Sequence, residues 1–117
     1  YCLCAASNGP YDQQINRLKK ADMLKYFAHC FVSEKVGADK PSQRFFDGCL
    51  KELPGVRPEE CMMIGDSLTA DITGGRAYGM STCWYVPSVE KYREEKSKSG
   101  KPADHIIHDL LELKKIL

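Results

Sequence analysis

Residues 61–86 read CMMIGDSLTADITGGRAYGMSTCWYV, and the order of events within them decides the fold. Cys61, Met62, Met63 and Ile64 form an apolar run that is too short for a helix and is bounded by Gly65-Asp66-Ser67. Such a run is a buried strand ending in a turn. Residues 68–78 continue at helical spacing, and Gly79 stands where a helix ends on a left-handed residue. Residues 81–86, STCWYV, are the next strand, rich in the β-branched and aromatic residues that suit a pleated surface. Strand, helix, strand is the unit that joins two parallel strands.

The same alternation extends in both directions. Upstream, residues 1–6 are a small-apolar strand, and Ser7-Asn8-Gly9-Pro10 supplies turn chemistry. Ile15, Leu18, Ala21 and Leu24 recur at helical intervals over residues 11–24. Residues 29–33, HCFVS, are a second strand, followed by a loop over 34–40. Pro41 suits the first turn of a helix that carries Phe45, Phe46, Cys49, Leu50 and Leu53 on one face and stops at Pro54-Gly55. Downstream, residues 90–101, EKYREEKSKSGK, mix both charges with Gly and Ser. They predict a charged surface loop spanning 87–104. Residues 105–108 form a short fifth strand, and Asp109 with Glu112 three residues later makes a capping box for the last helix. The fold class is therefore α/β: a parallel sheet with helices on both faces, in three α/β/α layers. A chain of 117 residues suffices for one such domain and not for two.

Composition narrows the function. With 43% hydrophobic residues, 28% charged residues and a net charge of +1, the chain is that of an ordinary globular protein. It has no field to attract nucleic acid or an anionic membrane. The opening YCLCAASNG has no basic region, no long apolar region and no initiator Met. It is neither a signal peptide nor a membrane span, and a start on a buried-looking strand is expected of a piece of something larger. The six cysteines include no CxxC pair and no Cys/His cluster with zinc spacing. Five lie in or beside apolar strands and Cys49 lies among the apolar residues of a helix, where cysteine acts as a small hydrophobe. Cys2 and Cys4, two apart, would share one strand face. Reduced thiols predict a cytoplasmic protein.

In an open α/β sheet, ligands bind at the loops after the carboxyl ends of the strands. Three such loops carry polar residues: Ser7-Asn8-Gly9, then Asp39-Lys40 before Pro41, then Gly65-Asp66-Ser67 with Asp71 beyond it. Hydroxyl and amide groups, a lysine near the positive end of a helix and a pair of carboxylates are what phosphoryl chemistry needs. The first two bind phosphate oxygens and neutralise their charge, and the carboxylates hold a hard cation such as Mg²⁺. Plainer readings exist for each. Ser7-Asn8-Gly9 can be only a turn, Lys40 a solvated lysine, Asp66 a carboxylate that complements a helix dipole, and Asp71 an exposed helical residue. The glycines of Gly74-Gly75-Arg76-Ala77-Tyr78-Gly79 sit at a helix end, so they are no dinucleotide fingerprint. His29, His105 and His108 are scattered beside strands and read as structural, and Trp84 reads as packing near a strand end.

Taken in order, the three loops resemble the haloacid dehalogenase superfamily of hydrolases. Ser7-Asn8-Gly9 is similar to its second signature motif, residues 36–41 (VGADKP) to its third, and residues 65–71 (GDSLTAD) to its fourth, GDxxxxD. The stretches SEKVGADKPSQRFF and GDSLTADITGGRAYGMSTCW resemble the branch with pyrimidine-type 5′-nucleotidases and a helical cap. The resemblance covers residues 1–86 and, more weakly, the last helix. It implies a Rossmann-like core in which residues 1–117 are the C-terminal part. It also implies a Mg²⁺-dependent phosphomonoester hydrolase working through an aspartyl-phosphate on a small phosphorylated metabolite such as a nucleotide. Ser7 and the Asn8 amide would bind the phosphoryl group, Lys40 would bridge it to the nucleophile, and Asp66 and Asp71 would hold the metal. The family's first motif, DxDxT, carries the nucleophile on the middle strand of the sheet, and no DxD occurs in these residues. The chain alone is therefore expected to lack that strand, the cap and turnover. An additional N-terminal segment or self-association would complete the sheet. The alternative is a non-catalytic phosphate-binding or regulatory module of the same fold, for which a DxD upstream would be absent.

Overall fold

All five expected strands form, and every strand pair is parallel. The computed structural model describes residues 1–99 and 102–117. Where one domain was expected, these fall into two compact units, Tyr1–Pro54 and Gly55–Leu117. The reason lies in the pairing: one unit holds a two-stranded sheet and the other a three-stranded sheet.

The first unit contains β1 (Cys4–Ser7), α1 (Tyr11–Lys20), a 3₁₀ turn at Leu24–Tyr26, β2 (His29–Val32), a single helical turn α2 (Ser33–Val36) and α3 (Gln43–Lys51). β1 and β2 run parallel with Ser7 opposite Val32, so both polar loops leave the same end of the sheet. Phe31, Val32, Phe45, Phe46 and Cys49 are buried, and the rings of Phe45 and Phe46 meet edge-to-face at 5.5 Å.

Several boundaries differ from expectation for local reasons. β1 begins at Cys4; Tyr1, Cys2 and Leu3 are exposed, so Cys2 is not a core residue. α1 stops at Lys20, because Asp22 takes a left-handed conformation (φ 55°) that a continuing helix does not allow. The segment 34–40 is not all loop: α2 fills its first half and ends on Gly37. Pro41 stands outside α3. The cap is Ser42, whose Oγ accepts the Phe45 N–H at 3.4 Å, and a serine is the stronger start signal.

The second unit contains a 3₁₀ turn at Pro58–Glu60, β3 (Met62–Gly65), a π-helical turn at Leu68–Thr73 running into α4 (Gly74–Tyr78), β4 (Ser81–Tyr85), α5 (Val89–Ser99), β5 (His105–Ile107), a 3₁₀ turn at Leu110–Glu112 and α6 (Leu113–Ile116). The sheet order is β3-β4-β5. Ile72, Trp84, Val86 and Ala103 form its core, with Leu68, Tyr92 and Ile106 packed on them. Trp84 is fully buried, which contributes about 2–3 kcal/mol of transfer free energy. A Cβ at Gly75 would come within 2.8 Å of the Met63 Cβ, so a glycine there lets α4 lie directly on β3. The expected capping box is present: Leu111 N–H donates to Asp109 Oδ1 and Asp109 N–H to Glu112 Oε2, at 2.8 and 2.9 Å. The backbone N–H groups of His108 and Asp109 hold the Glu112 carboxyl below its usual range.

The largest correction concerns 87–104. Residues Val89–Ser99 are a helix rather than a loop, while residues 100 and 101 of the expected loop lie outside the described residues. Three things hold the helix. Ser88 Oγ accepts the Lys91 N–H at 3.2 Å. Tyr92 packs on Trp84 and on His108, with ring centroids at 6.2 and 5.0 Å. Lys98 lies 3.9 Å from both Glu94 and Glu95. Two of the three histidines make structural contacts: His29 stacks on Phe31 at 5.4 Å, and His108 Nδ1 donates to the Val86 carbonyl at 2.8 Å, while His105 is exposed.

All six cysteines are free. Burial pushes Cys49 up to about 12 and Cys4 up to about 11, and raises Cys30, Cys61 and Cys83 as well. Because the thiolate is the reactive species, a thiol reagent at pH 8 is expected to modify Cys2 first in the native protein, and Cys49 and Cys83 only on unfolding. Mass spectrometry of the labelled peptides checks this; rapid native labelling of Cys83 would contradict it. Among the described residues no helix is long and apolar enough to cross a membrane.

Candidate active site

In the first unit, the loop after β1 and the loop before α3 are tied together by Asn8. Its Nδ2 donates to the Lys40 carbonyl at 3.1 Å, and its Oδ1 accepts the Lys40 N–H at 2.8 Å. This two-way clasp fixes the backbone of Lys40 against the end of β1. The Lys40 ammonium turns back and donates to the Ala6 carbonyl at 2.8 Å, one residue before Ser7. Ser7, Asn8 and Lys40 are thus brought together, with Ser7 and Lys40 half-buried and Asn8 exposed. Lys40 precedes the α3 cap by two residues, close enough for the helix dipole to add to its charge. Ser33, which no motif marks, is buried. Its Oγ accepts the Gly9 N–H at 2.8 Å and shapes the turn. The only sequence signal for it was a polar residue closing an apolar strand.

In the second unit, Asp66 and Asp71 share one turn but have different surroundings. Asp66 is exposed at the end of β3, and its carbonyl accepts the Trp84 indole N–H at 3.1 Å. The buried tryptophan therefore anchors the loop from beneath. Asp71 is only 5% exposed, contrary to the plainer reading of an exposed helical residue. Its Oδ2 accepts the Ser67 N–H at 3.3 Å, while Ser67 Oγ accepts the Ala70 N–H at 3.1 Å. Two reciprocal bonds of this kind normally close over three residues. Here the carboxylate reaches back over four, because the Ile72 N–H bonds to the Ser67 carbonyl across a π turn. Gly65 makes this possible: a Cβ there would stand 2.1 Å from Asp71 Oδ2. A burial this complete requires a carboxylate to be hydrogen-bonded.

A cleft of about 330 Å³ opens beside this loop, lined by Asp66, Ser67, Leu68, Thr69, Lys91 and Glu95. The last two come from α5, the helix whose composition predicts a loop. Among the described residues no cluster of three or more His, Cys, Asp or Glu side chains converges. An exposed carboxylate backed by a buried one still suits Mg²⁺, which binds through one or two carboxylates and fills its other positions with water and phosphate oxygens.

The chain belongs to the HAD-hydrolase-like family of enzymes, whose model matches residues 37–113. Over 87 residues it is 41% identical to the pyrimidine 5′-nucleotidase PynA of Streptococcus pneumoniae, covering 74% of this chain and 37% of that protein. Over 105 residues it is 32% identical to a glyceraldehyde 3-phosphate phosphatase of Pyrococcus furiosus, covering 90% of this chain and 42% of the relative. The crystal structure of the magnesium-bound HAD-hydrolase YfnB of Bacillus subtilis superposes with a TM-score of 0.88 at 34% identity. That match covers 100% of this chain and 49% of YfnB. The chain thus spans half or less of the length of these relatives. Family, α/β fold class and membership among hydrolases agree with the sequence reading.

Proposed function

We propose that the complete protein is a Mg²⁺-dependent phosphomonoester hydrolase, to which this chain contributes the phosphate clamp and part of the metal site. The observation that carries this is the Asp66–Asp71 turn. The exposed Asp66 carboxylate stands at a strand end, and five residues on the buried Asp71 carboxylate is held by the Ser67 N–H in the space left at Gly65. A metal ion bound there would neutralise phosphoryl charge. The remaining work falls to this chain's own groups. Ser7 Oγ donates a hydrogen bond to a phosphate oxygen, the Asn8 backbone amide donates another, and the Lys40 ammonium offsets the charge of the ester. The Asn8 clasp fixes the Lys40 backbone and the Ala6 carbonyl holds its ammonium, so the cation is in place before substrate arrives. The substrate class is a small phosphorylated metabolite, as the names of the relatives suggest, with nucleotides foremost. The six free thiols agree with a cytoplasmic setting.

The nucleophile in this reading is an aspartate of a DxD motif, which these residues do not contain. Covalent catalysis and charge stabilisation together supply accelerations of about a millionfold or more, so the 117-residue chain by itself is expected to hydrolyse no phosphate ester. The test uses p-nitrophenyl phosphate and a panel of nucleoside monophosphates, with and without Mg²⁺, on the chain and on the complete gene product. Turnover confined to the complete product is the expected result. Mg²⁺-dependent turnover by the chain alone would show that the nucleophile lies within it.

A further inference from the structure

Helix α5 gives the Asp66 cleft a wall of its own. Lys91 and Glu95 are four residues apart and so share one helix face, and both line the cleft with Asp66, Ser67 and Thr69. The face is fixed by the neighbouring Tyr92, which is anchored on Trp84 and His108, and by the Ser88 cap. The two charges on it are not equivalent. Glu95 lies 3.9 Å from the Lys98 ammonium, whereas among the described residues the Lys91 side chain enters no ion pair or hydrogen bond. Lys91 also sits in the first turn of α5, where the helix dipole adds positive potential. The cleft therefore has on its α5 wall the Lys91 ammonium and the Glu95 carboxylate, the latter beside Lys98, and on the other wall the Ser67 and Thr69 hydroxyls and the Asp66 carboxylate.

We propose that Lys91 determines specificity, its ammonium receiving a second anionic group carried by the leaving portion of the phosphate ester. This rests on the phosphatase reading above and grades the substrates within it: esters that bear a carboxylate or a further phosphate besides the one removed are favoured over nucleoside monophosphates, whose leaving portion is uncharged. Lysine suits the task as a point charge on a flexible stem, without the fixed geometry of arginine.

The experiment compares two phosphomonoesters in the complete gene product: a phosphorylated hydroxy acid and its neutral amide. Wild type, Lys91→Ala and Lys91→Arg are assayed with each. Loss of a charge-assisted hydrogen bond corresponds to about ten- to hundredfold. Lys91→Ala is therefore expected to lower kcat/KM for the acid by at least about tenfold, mainly through KM, and to leave the amide unchanged. Lys91→Arg should restore much of the loss, and rising salt should weaken binding of the acid in the wild type only. Equal effects on both esters, or none on either, would overturn the assignment of Lys91 while leaving the phosphatase reading intact. A wild type that hydrolyses neither ester but does hydrolyse a nucleoside monophosphate would overturn the assignment of Lys91 alone, and one that hydrolyses none of the three would overturn both.

Discussion

Gly65→Ala is expected to destabilise the second unit by about 3 kcal/mol, at the upper end of what overpacking a well-filled site costs. The added methyl would stand 2.1 Å from Asp71 Oδ2, 2.4 Å from its Cγ and 2.7 Å from its Cβ. Rotating the Asp71 side chain relieves the first two contacts but not the third, since Cβ moves only with the backbone. Either the π turn shifts or the strand end does, and the bond from Ser67 N–H to Asp71 is lost with it. Urea unfolding followed by tryptophan fluorescence is the suitable measurement, because the sole tryptophan, Trp84, bonds to the neighbouring Asp66 carbonyl. In an Asp71→Gly background the same Gly65→Ala change should cost much less. A penalty of equal size in both backgrounds would mean that Asp71 is not what constrains residue 65.

Asp66→Asn should have the opposite profile, with activity lost and stability kept. The side chain is exposed, so the loss of its charge leaves no buried group unsatisfied. If Asp66 ligates Mg²⁺ in the complete protein, removing that charge deprives the metal of its best protein donor. The site then loses several kcal/mol of charge stabilisation, a fall in kcat/KM of about a thousandfold. Raising Mg²⁺ should recover part of it. Asp71→Asn should differ by also lowering stability, since its carboxylate is buried and holds the turn closed. A variant of Asp66 with full activity at low Mg²⁺ would remove this residue from the metal site.

Much of this architecture can be read from the residues alone, and the failures have physical causes. The strands are legible because four-residue apolar runs bounded by Gly, Asn and Pro have no other use in a chain of this composition. The loops at Ser7, Lys40 and Asp66 are legible because polar residues at strand ends are placed where ligands bind. α5 was not, because its stability does not come from an apolar stripe. A single anchor, Tyr92, together with charges spaced at three and four residues, holds a segment whose composition resembles a solvated loop. The π turn was equally hidden: one residue of extra winding changes which donor Asp71 reaches, and spacing does not reveal it. Nor does spacing announce the Asn8 clasp, since it is made with the backbone of a residue 32 positions away. Lys91 and Glu95 are not legible as lining residues, because the element that presents them has the composition of a loop.

The Asn8 clasp has a bearing on how this protein ages. Asparagine followed by glycine is the step at which a chain most easily converts to a cyclic imide and then to aspartate, because glycine leaves its own backbone nitrogen open to attack the side-chain carbonyl carbon. Here that nitrogen donates to Ser33 Oγ, and both ends of the Asn8 carboxamide are held by Lys40. Deamidation must therefore wait for local opening of the loop. Once it has happened, a carboxylate oxygen would face the Lys40 carbonyl in place of the donor that Nδ2 supplies. The clasp that positions the lysine is also what protects its most perishable residue.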